Sequence, residues 1–284
     1  MSGIAIGLGG WRRLKATGWP RPSVVLALLV VGLAGAWALA PGLFTAQDPL
    51  RGQPLAALQP PSAAHWFGTD HLGRDLYART VHAAAVSLRA TALAVAVALL
   101  GGGAVGLAAG VLGRGSDAAL MRLVDVLMAI PSLLLAMAIV TVLGFGTTNV
   151  AIAVGVSAAA TFARLTRGEV LRCRSAAFVE AATAAGVSGL GVVLRHILPH
   201  AAGPVLALAT LEFGSAVLAV AALSFLGFGT SPPNPEWGLL IAEGRNFLGT
   251  AWWYSTLPGL VVMAVVLAAN HLAGWMQDRD EAGP

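Results

Sequence analysis

The chain is 284 residues long, 57% hydrophobic and 11% charged, with a formal net charge of +4 at neutral pH. A soluble domain carries about 25% charged residues, so this chain has too few to coat a soluble surface of its size, and its length suits about six membrane helices with short connections. The basic surplus does not mark a nucleic-acid binder, because the arginines are scattered through the loops and form no basic, aromatic-interleaved stripe.

The uncharged runs define the spans. Residues 90–113, 126–163 and 246–277 contain no Asp, Glu, Lys or Arg, and each exceeds the ~20 residues a spanning helix needs. Residues 1–22 form a polar, basic tail with Arg12, Arg13, Lys15 and Arg21; residues 23–284 form the transmembrane domain. A first helix is predicted over about 23–44. Ala38-Leu39-Ala40 resembles a signal cleavage site, but the apolar run is longer than the usual 7–15 residues and Pro41 directly follows, so the helix is read as uncleaved. Residues 45–84 are polar and carry Pro49, Pro54, Pro60 and Pro61. They contain the run His65-Trp66-Phe67-Gly68-Thr69-Asp70-His71-Leu72-Gly73-Arg74-Asp75, whose aromatics, charges and glycines alternate too regularly for a linker.

The second helix is predicted over about 87–112. Gly102, Gly106 and Gly110 recur every four residues along it and share the face on which another backbone can approach. The third and fourth helices, about 118–143 and 148–165, are separated by the turn signal Leu143-Gly144-Phe145-Gly146-Thr147-Thr148-Asn149. Pro131 should kink the third, and Arg122 and Asp125, three apart, are expected to pair on one face of it. Residues 166–200 read as a water-facing helical loop: an amphipathic helix over 166–184, a sharp turn at Gly186, and a second short helix ending at Pro199. The fifth helix, about 203–228, carries Glu212 near its middle, where an acid lines an aqueous pathway or bonds a neighbouring helix. A proline-rich turn leads through Glu236 and Trp237 to the sixth helix, about 255–275, flanked by Trp253 and Trp275; the separation is roughly 33 Å of helix, one hydrocarbon core between interfacial aromatics.

Six crossings put both termini on one side. That side receives twelve of the positive residues and the other five, which places the termini and the 166–200 loop in the cytoplasm. The only lysine, Lys15, has no phosphate-binding glycine pattern before it, so the chain has no nucleotide site of that kind. His196 and His200 are four apart, but no Glu follows His196 and Pro199 intervenes, so no metal site is read there. His65 and His71 are taken as structural, and the lone Cys173 permits no disulfide within the chain. No nucleophile has a recognisable partner; no catalytic residue is assigned.

The run Glu180-Ala181-Ala182, then Gly186, then Leu198-Pro199 resembles the EAA loop of permease subunits in bacterial ATP-binding-cassette importers. The stretches 68–75, Arg195-His196-Ile197-Leu198-Pro199, Leu223-Ser224-Phe225-Leu226-Gly227-Phe228-Gly229 and Pro235-Glu236-Trp237-Gly238 resemble the C-type permease of the dipeptide/oligopeptide/nickel class, in the expected order over about 20–280. Departures are His200 where an asparagine usually follows the Leu-Pro, Ala85, Val220 and Gln277. The resemblance implies an all-α fold of six transmembrane helices in the cell membrane, in contact with lipid. It implies a second, homologous permease with which this chain shares the pathway, two ATP-binding subunits that hold ATP and Mg, and an extracytoplasmic substrate-binding protein that delivers peptides. It assigns ATPase coupling to Glu180, Ala181, Ala182, Gly186, His196, Leu198 and Pro199. Asp70, Arg74, Asp75, Glu212, Glu236 and Trp237 are its candidates for the substrate pathway or binding-protein docking. An ion-coupled secondary transporter or channel is the alternative, and would show embedded acids in two related halves.

Overall fold

The computed structural model describes residues 21–281 of the chain; the predicted basic tail at Arg12, Arg13 and Lys15 lies outside them. Nine α-helices organise the described residues: α1 (Pro22–Leu39), α2 (Leu76–Leu112), α3 (Arg114–Met128), α4 (Ser132–Leu143), α5 (Thr147–Arg174), α6 (Ala177–Ala184), α7 (Gly189–Phe225), α8 (Trp237–Gly244) and α9 (Trp253–Glu281). The only strand-like pairing among these residues is an isolated bridge between Thr69 and Asp75. The fold is therefore all-α.

Five helices, α1, α2, α5, α7 and α9, are long and apolar enough to cross a membrane. The sixth span is broken: α3 and α4 are bent by 97° across the residues around Pro131. The expected kink is thus nearly a right angle. Pro131 lacks an amide hydrogen and forces its predecessor away from helical geometry. Alone, α4 is about 18 Å long, short of a ~30 Å hydrocarbon core.

Several spans run beyond their predicted ends. The second starts at Leu76 rather than near 87 because the Asp75 carboxylate caps it, accepting from the Ala78 amide at 2.6 Å, and because Arg79 is neutralised inside the protein. The fourth continues from 165 to Arg174. The loop helix is accordingly shorter than 166–184: the chain breaks at Ser175-Ala176, and α6 occupies only Ala177–Ala184. The expected short helix ending at Pro199 is instead the first part of α7. A π-turn over Val193–Ile197 lets the Leu198 amide reach back to the Val193 carbonyl, so the register absorbs the bond Pro199 withholds.

Arg122 and Asp125 do not pair as expected. Helix α3 lies beside the C-terminal half of α5, and Asp125 accepts from Arg164 there at 2.5 Å. About one turn further along α5 and two turns back along α3, both oxygens of Asp117 accept from Arg167, through Nε and, at 2.6 Å, Nη2.

The tightest helix contact joins α2 and α5. A Cβ added at Gly102 or Gly106 would overlap the carbonyl oxygens of Ala159 and Ala163 respectively, and one at Gly110 would meet Val170. From the other helix, a Cβ at Gly155 would lie 2.6 Å from the Ala94 carbonyl oxygen. Lipid tails offer no hydrophobic drive for helix association, so this close backbone approach supplies van der Waals contact in its place. Buried clusters stack along the molecule. One, around Trp37, Leu76, Trp237 and Tyr254, lies at the end that carries the start of α2; one, around Ala94, Val140 and Val220, lies midway; one, around Val170, Cys173, Val179 and Ile197, lies under α6.

Candidate functional site

At the end carrying Arg164, Arg167, Arg172 and Arg174, α6 forms a knob held on both sides by membrane helices. Its end is a Schellman cap: the Val187 amide donates to the Ala182 carbonyl (3.1 Å) and the Gly186 amide to the Thr183 carbonyl (3.0 Å). This motif requires a left-handed residue at the turn, and Gly186 has φ of +81°. Val187 then packs onto the cluster containing Val179 and Ala182. Ser188 caps the start of α7, accepting from the Gly191 amide. The chain thus enters the knob from α5, turns once, and leaves directly into α7.

The coupling candidates divide by exposure. Glu180, Ala181, Gly186, Leu198 and Pro199 are exposed, and His196 is half-buried. Ala182 is buried beneath α6; the small docking surface expected at Ala181-Ala182 is therefore Ala181 alone. Four large apolar side chains, Phe178, Leu190, Leu194 and Leu198, are exposed on the same unit, with Phe178 stacked on His200. Sequence reasoning passes over Arg174. Its guanidinium donates to the carbonyls of Gly110 and Val111 at the end of α2, where a helix leaves acceptors unsatisfied and favours positive charge. The entry to the knob is thereby tied to a second membrane helix.

At the opposite end, residues 45–75 fold back over the start of α2. Gly73, with φ of +70°, passes so close to Gln53 that a Cβ would overlap its backbone. The Gln53 amide donates to Gly73 and the Leu58 amide to Asp70. Asp70, fully buried, accepts from Arg74 Nε (2.6 Å), Arg79 Nη1 (3.0 Å) and the amides of Leu72 (2.8 Å) and Arg74 (2.9 Å). Arg79, also fully buried, continues to Glu243 of α8 at 3.0 Å. Glu243 accepts from the Tyr254 hydroxyl, which also contacts His71 Nδ1 at 2.9 Å. Burial pushes the Glu243 carboxyl up from its ordinary value, and the Arg74 charge is the strongest opposing influence. His65 contacts Asp75 at 2.8 Å.

Glu236 and Trp237 are also fully buried. Glu236 caps α8, accepting from the amides of Gly238 and Leu239 at 3.1 Å, and accepts from Ser87 Oγ of α2 at 3.2 Å. Burial pushes its carboxyl up, opposed first by the Gly238 amide. Trp237 donates from its indole to the Thr80 carbonyl at 3.0 Å. The structure thus brings Asp70, Arg74 and Asp75 together in one cap, joins Glu236 and Trp237 to its α8 side, and buries all five. Arg79, Glu243 and Tyr254 complete this cap unforeseen; an arginine at the start of an otherwise apolar helix was the available signal.

Glu212 belongs to neither end. It lies 13 residues before the end of α7 and lines a cavity of about 220 Å³ between α2, α4, α5 and α7. Among the described residues, no group of three or more His, Cys, Asp or Glu is arranged to hold a metal ion.

Residues 102–280 match the family described as binding-protein-dependent transport system inner membrane component. The dipeptide transport system permease protein DppC of Alkalihalophilus pseudofirmus is 41% identical over 236 residues, 83% of this chain and 78% of that protein. The probable D,D-dipeptide transport system permease protein DdpC of Escherichia coli is 37% identical over 256 residues, 90% and 86% of the two chains. The glutathione transport system permease protein GsiD of Pectobacterium atrosepticum is 37% identical over 218 residues, 77% and 72%. A chain from the crystal structure of an amino acid ABC transporter superposes with a TM-score of 0.55 at 16% identity, over 71% of this chain and 94% of its own; at that identity the likeness concerns the fold.

Proposed function

The chain belongs to the family of inner membrane components of binding-protein-dependent transport systems, and from that premise we propose that it forms half of the translocation pathway of an ATP-driven peptide importer. Its partners in this reading are a second, homologous permease, two ATPase subunits that hold ATP and Mg, and a binding protein outside the cell. Short peptides are the proposed cargo, since the relatives named above carry dipeptide and glutathione transport names.

The observation that carries the coupling role is the continuity of the knob with the membrane. Helix α6 sits between α5 and α7 with short connections, and Arg174, at the end of α5 where the chain enters α6, joins that entry to α2. A push on α6 therefore reaches three spans without passing through a flexible linker. The exposed Glu180, Ala181 and Gly186, with His196, Leu198 and Pro199 beside them, offer the contact surface; Phe178, Leu190 and Leu194 add apolar area for a groove to cover. Buried Ala182 contributes by setting the height of α6 above α5.

In this reading the α6 end is cytoplasmic, together with both termini. The pairing of Arg74 and Arg79 with Asp70 and Glu243 supports that orientation, because it offsets two of the positive charges assigned to the outer side. The outer cap is the face offered to the binding protein. Asp70, Arg74, Asp75, Glu236 and Trp237 serve it from within by holding its shape.

The test is the reconstituted complex carrying Gly186→Phe. A side chain at φ of +81° distorts the turn whatever space surrounds it. ATPase-subunit binding or peptide-stimulated hydrolysis should fall at least tenfold; wild-type values for both overturn the coupling assignment. One observation favours a second reading, ion-coupled transport: the membrane acid Glu212. It predicts uptake by the purified chain alone under an ion gradient.

A further inference from the structure

Glu212 is separated by 13 residues from Pro199 and by 13 from Phe225, about 20 Å of helix in each direction. It is therefore at membrane mid-depth. It is half-buried and has no hydrogen bond or ion pair among the described residues. The other embedded or buried acids all have partners: Asp117 with Arg167, Asp125 with Arg164, Asp70 and Glu243 with arginines, Glu236 with amides and Ser87. An acid left unpaired in a membrane is costly, and such residues face a cavity and act there.

The cavity it faces is of that kind. Ser132 of α4, Ser157 and Thr161 of α5 and Ser215 of α7 line it with Glu212, and small Ala94 of α2 closes one wall. Ser132, Thr161 and Ser215 are exposed at its open side, and their hydroxyls have no partner among the described residues. Ser157 gives its proton to the Ala153 carbonyl at 2.8 Å, leaving its oxygen as an acceptor. No Lys, Arg or His lines the space. Its only positive element is the uncapped first turn of α4, a partial charge of about half a unit against the full charge of a carboxylate.

We propose that this cavity is a way-station for the amino terminus of the cargo, binding a primary ammonium group through Glu212 and the surrounding hydroxyl oxygens. An ammonium has three donors and no acceptor; one carboxylate and two hydroxyls satisfy it. The volume, about 220 Å³, equals roughly seven waters at about 30 Å³ each. It admits one terminal residue and leaves the rest of a peptide in the open side. The inference rests on the importer reading and specifies the cargo: peptides with a free amino terminus.

The test places a reporter thiol beside an intact Glu212. Ser215→Cys is introduced in a Cys173→Ser background, since Cys173 is the chain's single cysteine. In the assembled complex, labelling of this chain by a cationic and an anionic methanethiosulfonate is timed by mass spectrometry. The cationic reagent should react about tenfold faster, as a cleft of one sign concentrates its counter-ion, and the preference should vanish with added Glu212→Gln. Dialanine should slow labelling; N-acetyl-dialanine at the same concentration should not. Equal rates for the two reagents, or equal protection by both peptides, overturn the site. ATP-driven uptake by the same complex separates the two ideas: uptake without charge preference overturns the cavity assignment alone, and absence of ATP-driven uptake in the wild-type complex overturns the importer reading.

Discussion

The cap over the start of α2 and the knob at α6 handle their polar motifs in opposite ways. In the cap, Asp70, Arg74 and Arg79 close on one another as buried groups, and the partly buried Glu243 joins them. In the knob, Glu180 and Ala181 face outward and the buried material is small and apolar. Both stretches turn at a glycine of positive φ, yet the polar groups of one determine internal shape and those of the other lie on the surface. A charged motif in a membrane protein therefore identifies a region, and burial decides whether a partner can touch it.

The contrast can be broken most strongly at Arg79. Arg79→Leu leaves the buried Asp70 and the partly buried Glu243 against one remaining guanidinium, and removing one partner of a buried ion network costs about 3–5 kcal/mol. Thermal unfolding of the purified chain in detergent should show that loss, and Arg79→Lys should recover part of it; an unchanged transition would mean the cap is not held by this network. Gly106→Val is expected to cost about 1–3 kcal/mol, typical of overpacking a close contact, because its Cβ would overlap the Ala163 carbonyl. The same unfolding measurement checks it, with Gly103→Val, which meets nothing nearby, as the control.

Arg174→Ala sharpens the other side. It removes the bond from the knob to the end of α2 and should cost stability only about 0.5–1.5 kcal/mol. Peptide uptake per ATP hydrolysed should nevertheless fall several-fold, with ATPase-subunit binding retained. Uptake and hydrolysis falling in proportion would assign Arg174 to stability alone. The smallest effect is expected at Glu180→Gln: exposed and without a partner, it should leave the unfolding transition within about 0.5 kcal/mol of wild type and register only in binding of the ATPase subunit. A destabilised chain would show that Glu180 has an internal role.

Much of the architecture is legible in the residues. Long uncharged runs mark spans because charge is costly in hydrocarbon, and the four-residue glycine spacing marks the α2–α5 contact because only a bare backbone permits it. Helix ends are less legible. Arg79 hides the first turns of α2, since a composition reading treats a charge as the edge of a span and has no way to see its acids arriving from residue 70 and from residue 243. Arg122 and Asp125 illustrate the same limit: local spacing favours their pairing, but the neighbouring helix presents Arg164 to Asp125.

By itself, then, the amino-acid order determined that the chain crosses the membrane repeatedly, that its helices pack through glycine, and that the chain turns sharply at Gly186. These follow from local hydropathy and backbone freedom, which each residue carries with it. Only the tertiary structure decided which charges are hidden, which face a partner, and that Glu212 stands unpaired over a cavity. Those depend on what other segments bring within a few ångströms of a side chain.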